Sequence, residues 1–214
     1  MVDAEDFVSR VKPALEAQDW DALMTTLNTY WTTDQIIGLL SHKSCDARKI
    51  AALAVGLIGQ SRCLPELSAR LRDSDRMVCD MAEHAMWQIW FRGGSSVANA
   101  ELARGAEALN QQQIDQAMAH LNKAIALSPD FAEAYNQRAI AHYMAERFEE
   151  SVHDCERVIQ LMPLHFGAWC GLGHSYLAMG DVEEALRAYR KALKLNPHLE
   201  CVAELVQELA EQSN

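Results

Sequence analysis

Apolar residues recur at helical spacing along most of this chain, and the polar positions between them divide it into short segments. In Ala4–Ala17, Phe7, Val8, Val11 and Leu15 share one face, which predicts an amphipathic helix. Pro13 within it predicts either a kink or two shorter pieces. Asp19 is placed to cap a second helix carrying Leu23, Met24 and Leu27 and ending near Trp31. From Thr33 a register of 31 residues appears. It lays Ile36 on Leu67, Leu40 on Leu71, Ala47 on Val78 and Ala51 on Ala82, then Ala54 on Ala85, Val55 on Met86 and Ile58 on Ile89. Each copy reads as a short helix, a tight turn and a longer alanine-rich helix.

A different register governs Asn99–Leu199. Pro129, Pro163 and Pro197 recur every 34 residues, each closing an apolar run (AIALSP, VIQLMP, ALKLNP). The same spacing aligns Gly105, Ala139 and Gly173, then Ala117, Ser151 and Ala185, then Leu121, Cys155 and Tyr189. Two helices per copy are expected, with Ile114, Phe148 and Val182 opening each second helix and Leu127, Leu161 and Leu195 closing it. Proline lacks an amide proton and disfavours helix in the residue before it, so each second helix stops there. A lone helix pair cannot bury its apolar face, whereas stacked pairs share one core. Between the two registers, FRGGSS (residues 91–96) supplies glycines to end one helix and serines to cap the next. The expected division is therefore 1–92, a linker at 93–97, and 98–214, with Trp87, Trp90 and Phe91 as an aromatic wedge between two arrays. After Pro197, Leu199, Val202, Val206 and Leu209 face inward and Glu200, Glu204, Glu208 and Glu211 outward, as a solvating cap requires.

The stretch WCGLGHSYLAMGDVEEALRAYRKALKLNP (residues 169–197) resembles the tetratricopeptide repeat (TPR) family. DQIIGLLSHKSCDARKIAALAVGLIG and CLPELSARLRDSDRMVCDMAEHAMWQI resemble HEAT-like repeats, a type also seen in phycobilisome lyases. Together these imply an all-α, α-α superhelical solenoid. HEAT-like pairs (33–92) lead into three TPR-like repeats and a C-terminal capping helix. The middle repeat departs from pattern at Ala139, Ser151 and Val158, which is expected to alter the local helix crossing.

Composition narrows the function. The chain carries a net charge of −11, with −3 on residues 1–97 and −8 on 98–214, which argues against nucleic acid as a partner. No apolar run is long enough to span a membrane, and the acidic N-terminus lacks the order of a secretory signal. Six cysteines without a CxxC pair read as buried thiols in a reducing cytoplasm. No phosphate loop, HExxH or GxSxG motif is present, and the eight histidines are scattered, so neither enzyme, metal nor cofactor is expected. Cys170 and His174, four apart, could pair as a thiolate–imidazole couple, but a shared groove face is the favoured reading.

What the TPR resemblance implies is a concave surface lined by the first helix of each repeat. Here that lining is Asn99, Leu102, Ala103, Ala106, Leu109 and Asn110 in the first copy. The second supplies Glu133, Asn136, Gln137, Ile140, Tyr143 and Met144, and the third Gly167, Cys170, Gly171, His174 and Leu177. Family members that clamp a terminal carboxylate carry lysine, arginine and asparagine there. This chain has Leu102, Ala106, Gly167 and Gly171 at the matching positions. The expectation is a non-catalytic, cytoplasmic adaptor that binds a protein or peptide partner in this groove. The alternatives are a self-associating, homo-oligomeric scaffold and, from the HEAT-like half, a lyase- or chaperone-like role on a cofactor-bearing partner.

Overall fold

A computed structural model describes residues 2–212, and every regular element among them is helical. The chain divides into two compact units, Met1–Ile89 and Trp90–Asn214.

The first unit holds α1 (Ala4–Glu16), α2 (Trp20–Tyr30), α3 (Thr33–Leu39), α4 (Cys45–Ile58), α5 (Leu64–Arg70) and most of α6 (Arg76–Phe91). α1 runs through Pro13 as one helix, capped by the Asp3 carboxylate accepting from the Glu5 and Asp6 amides. The 31-residue register reappears as burial. Ile36 and Leu67, Leu40 and Leu71, Ala47 and Val78, Ala51 and Ala82, Ala54 and Ala85, and Val55 and Met86 are all inaccessible to solvent or nearly so. Small residues are needed because the long helices pass closely. A Cβ on Gly56 would stand 2.9 Å from the Ala85 Cα. Across the two copies, the Arg48 guanidinium donates to both oxygens of Asp73, at 2.9 and 2.7 Å. Burial works against ionisation of Asp73. The guanidinium and the Asp75 amide outweigh it and hold the carboxyl below its ordinary pKa.

The second unit follows the 34-residue register closely. Its hairpins are α7 (Ser96–Asn110) with α8 (Ile114–Leu127), α9 (Ala132–Met144) with α10 (Phe148–Leu161), and α11 (Phe166–Ala178) with α12 (Val182–Leu195). The second helices begin and end at the expected residues. α13 (Glu200–Gln212) closes the unit, with Leu199, Val202, Leu205, Val206 and Leu209 packed against Ala185, Leu186 and Tyr189 of α12.

The glycine positions mark the helix crossings. A Cβ on Gly105 would lie 2.7 Å from Leu121 Cγ, and one on Gly173 only 2.5 Å from the Tyr189 ring. The glycines thus face the large residues of the second helix, with Ala117 and Ala185 beside them. In the middle copy Ala139 replaces glycine, and the residue it packs with shrinks to Cys155. Ser151 adds a polar tie, its hydroxyl donating to the Ala139 carbonyl at 2.9 Å.

Each hairpin turn has one αL residue, Gln112, Glu146 or Gly180, with φ of +58°, +58° and +82°. In each, the second residue past the helix cap donates its amide five residues back, from Gln113 to Ala108, Arg147 to His142 and Asp181 to Tyr176. This is the Schellman closure. The α1–α2 turn is built identically, with Gln18 at φ +52° and the Asp19 amide donating to the Ala14 carbonyl. No glycine marks that turn.

Gly94 falls in the stretch 93–97 read as a linker. Its Cβ position lies 2.5 Å from the Phe131 ring. Trp90, assigned to a wedge between arrays, belongs to the second unit and stacks on His165 at 4.0 Å.

Candidate functional site

The first helices of the second unit are not uniform linings. On α7, Leu102 and Leu109 are buried in the core with Leu121, Ala124 and Phe131, so neither lines a surface. Asn99 and Ala106 are half-buried, and Ala103 and Asn110 exposed.

On α9 the polar positions Glu133, Asn136 and Gln137 are also buried, contrary to the expectation that they present amides to a ligand. They are occupied internally. Asn136 Nδ2 and Gln137 Nε2 donate to Glu133 Oε1 at 3.1 and 2.7 Å. The other carboxylate oxygen, Oε2, meets His165 Nε2 at 2.8 Å. The His165 Nδ1 accepts from the Ala168 amide as the N-cap of α11, which fixes the ring, and Trp90 covers its face. A buried carboxylate with these partners is satisfied, and the network joins α9 to the start of α11.

Past this network α9 opens outward. Ile140, Tyr143 and Met144 are each 40% exposed, a high value for large apolar side chains on one helix. Beside them on α11, His174 is exposed and Cys170, Gly171 and Leu177 are half-buried. The rings touch: Tyr143 lies 5.5 Å from Phe148 and 6.4 Å from His174. The structure thus brings together Ile140, Tyr143, Met144, Cys170, His174 and Leu177 from the expected lining and leaves the buried α7 and α9 residues outside it.

His174 is positioned from beneath. The Tyr189 hydroxyl, fully buried on α12, sits 2.7 Å from His174 Nδ1. Although its outer edge is exposed, the His174 ring loses water where it packs on Tyr189, which lowers its pKa, while burial raises that of the phenol, so both are neutral near pH 7. The hydroxyl then donates to Nδ1, and the imidazole presents Nε2–H as an outward donor. With Nδ1 committed, Cys170 and His174 do not form a thiolate–imidazole couple through that nitrogen. Cys155 is pushed up to about 12 by burial and stays a thiol.

The two arginines of the first helices, Arg104 and Arg138, are engaged in ion pairs. Arg104 pairs with the buried Glu101 at 2.7 Å, and Arg138 makes a bidentate pair with Asp154 of α10. Among the described residues no three His, Cys, Asp or Glu side chains are grouped to hold a metal ion, and no helix is long and apolar enough to cross a membrane.

Known proteins resemble the chain mainly in this unit. Models of the tetratricopeptide repeat match residues 132–165 and 167–199, and a TPR repeat model matches 107–145. A TPR repeat-containing protein of Rhizobium etli is 31% identical over 123 residues, covering 58% of this chain and 60% of its own length. An Hsp70-Hsp90 organizing protein of Triticum aestivum is 25% identical over 150 residues, covering 70% of this chain but 25% of its own. The chain therefore spans less than two thirds of either relative. The first TPR of Spaghetti (RPAP3), solved with the HSP90 peptide SRMEEVD, superposes with a TM-score of 0.54. It is 21% identical and covers 55% of this chain and 94% of that one, a likeness of fold. Residues 107–199 are thus built of tetratricopeptide repeats.

Proposed function

We propose that this protein is a non-catalytic adaptor that holds a peptide or helix of a partner protein against the first-helix face of its TPR unit. The observation that carries this is the apolar cluster of Ile140, Tyr143 and Met144, each 40% exposed. A single exposed apolar side chain is ordinary, but adjoining ones framed by aromatic rings and a neutral imidazole have the makeup of an interface core. Buried thiols such as Cys63, Cys79 and Cys155 fit a cytoplasmic setting. The HEAT-like reading of 33–92 rests on the 31-residue register and the close pass at Gly56.

The peptide in the Spaghetti complex, SRMEEVD, is acidic towards its end. None of the residues named in this patch is lysine or arginine, and Ala106, Gly167 and Gly171 stand where a clamp would need lysine, arginine or asparagine. The segment held here is therefore apolar at its centre and independent of a free terminal carboxylate.

Peptides selected on the folded protein from a displayed random library supply the test. Titrated calorimetrically, they should bind Tyr143→Ala more weakly by about 1–2 kcal/mol, as for an aromatic anchor. Equal affinity for wild type and Tyr143→Ala would sink the assignment. The same apolar cluster also suits a second copy of the chain, and sedimentation across concentration separates that reading. A dimer lost in Tyr143→Ala would favour self-association.

A further inference from the structure

A second surface lies on the other side of α11 from that patch, where α10, α11 and α12 enclose a groove of about 740 Å³. That volume is in the range of formed ligand sites. Trp169, Leu172 and Tyr176 of α11 line it together with Ile159 of α10 and Ala188 of α12, so its floor is apolar. Its α12 wall is basic: Arg187, Arg190, Lys191 and Lys194 all border it. Two carboxylates also line it, Glu156 and Glu184, but Glu184 is engaged by Arg187. Among the described residues, Arg190 and Lys191 have no ion-pair partner.

In a chain with a net charge of −11, a groove bordered by four cations and two anions stands out. Unpaired cations next to aromatic surface cost nothing while solvated, and they gain when an anion arrives. Arg190 and Lys191 stabilise none of the contacts described in the fold. We infer that this groove is a docking site for a partner-protein segment in which acidic residues flank one or two aromatic or large aliphatic anchors. The anchors fill the floor over Trp169, Leu172 and Tyr176, and the acids face the α12 wall. Charge complementarity selects the sign of the partner and speeds the encounter, while the floor supplies the area that holds it. The site is separate from the patch around Tyr143, so the protein can hold two segments at once.

The probe is a fluorescein-labelled 12-residue peptide with phenylalanine and leucine anchors among glutamates. Two control peptides carry lysine for each glutamate, or serine for each anchor. On the full chain, the acidic anchored peptide should bind at least tenfold more tightly than either control, and the difference should shrink as salt rises. Arg190→Glu combined with Lys191→Glu changes exposed positions and should leave the melting temperature in place. It should weaken binding about tenfold, since each substitution replaces an attraction by a repulsion. Tyr143→Ala should leave the affinity within twofold. As a check that needs no charge reversal, Trp169→Phe should remove most of the change in tryptophan emission on binding. Equal binding of the acidic and lysine peptides, an unaffected charge-reversal variant, or loss of binding in Tyr143→Ala would overturn the proposal. So would a homodimer that the charge reversal dissociates, because the occupant would then be a second copy.

Discussion

Replacing Gly173 by alanine sets two effects of known sign against each other. Alanine in a helix interior is favoured over glycine by about 0.5–1 kcal/mol. Against this, the new Cβ would stand 2.5, 2.6 and 2.9 Å from three atoms of the Tyr189 ring. Carbon atoms pack best at roughly 3.5–4.0 Å, so the ring or the α11–α12 spacing must shift by about 1 Å. Tyr189 cannot swing aside, because it is fully buried and its hydroxyl is tied to His174 at 2.7 Å. Overpacking of this kind costs about 1–3 kcal/mol, so Gly173→Ala should destabilise the protein by about 0.5–2 kcal/mol net. Gly38 of α3 supplies the control, since a Cβ there meets nothing within 4 Å and alanine should stabilise by about 0.5–1 kcal/mol. Urea denaturation of both variants, with melting temperatures alongside, should show shifts of opposite sign. In a Tyr189→Ala background the penalty at Gly173 should vanish, giving a coupling of about 1–3 kcal/mol. A Gly173→Ala protein as stable as Gly38→Ala, or additivity in the cycle, would refute the glycine–tyrosine crossing.

Other outcomes follow from the same contacts. Glu133→Ala leaves His165, Asn136 and Gln137 buried without their shared acceptor and should cost about 3–5 kcal/mol in denaturant unfolding. The Glu101 carboxyl is held down at about 2, chiefly by Lys123 and His120. A depressed carboxylate pKa stabilises above the ordinary value and loses that contribution on acidification. The pH–stability curve should therefore fall from about pH 5 towards pH 2, and Glu101→Gln should flatten that limb. Gly180→Ala should destabilise by about 1 kcal/mol because of its φ of +82°, whereas Glu146→Gly should be neutral or slightly stabilising by thermal melting.

The fold was legible where one residue type has one structural use. Pro129, Pro163 and Pro197 end helices by removing a donor, and the second helices run over the residues read from that register. The pairing of Ala139 with Cys155 was not legible, because their contact depends on how the helices cross. The site was half legible. Ile140, Tyr143 and Met144 lie at lining positions and are open, while Leu102, Glu133, Asn136 and Gln137 at equivalent spacing are buried. Spacing along a helix gives direction, but not what approaches from outside it. His165 from the next repeat and Trp90 from before the first one close over Glu133, and neither carries a periodic signal. The basic wall of α12 was readable as Arg187, Arg190, Lys191 and Lys194 on one helix face, but only the groove beside it gives that stripe an apolar neighbour.

The proposed partner site is the open patch on α9 and α11. Chemical-shift mapping on the isotope-labelled full chain, titrated with a library-selected peptide, tests it most directly. The largest changes should fall at Ile140, Tyr143, Met144 and His174, and amidating the peptide's C-terminus should alter Kd less than twofold. Changes confined to Met1–Ile89 or to the α10–α12 groove, or binding that disappears on amidation, would contradict it.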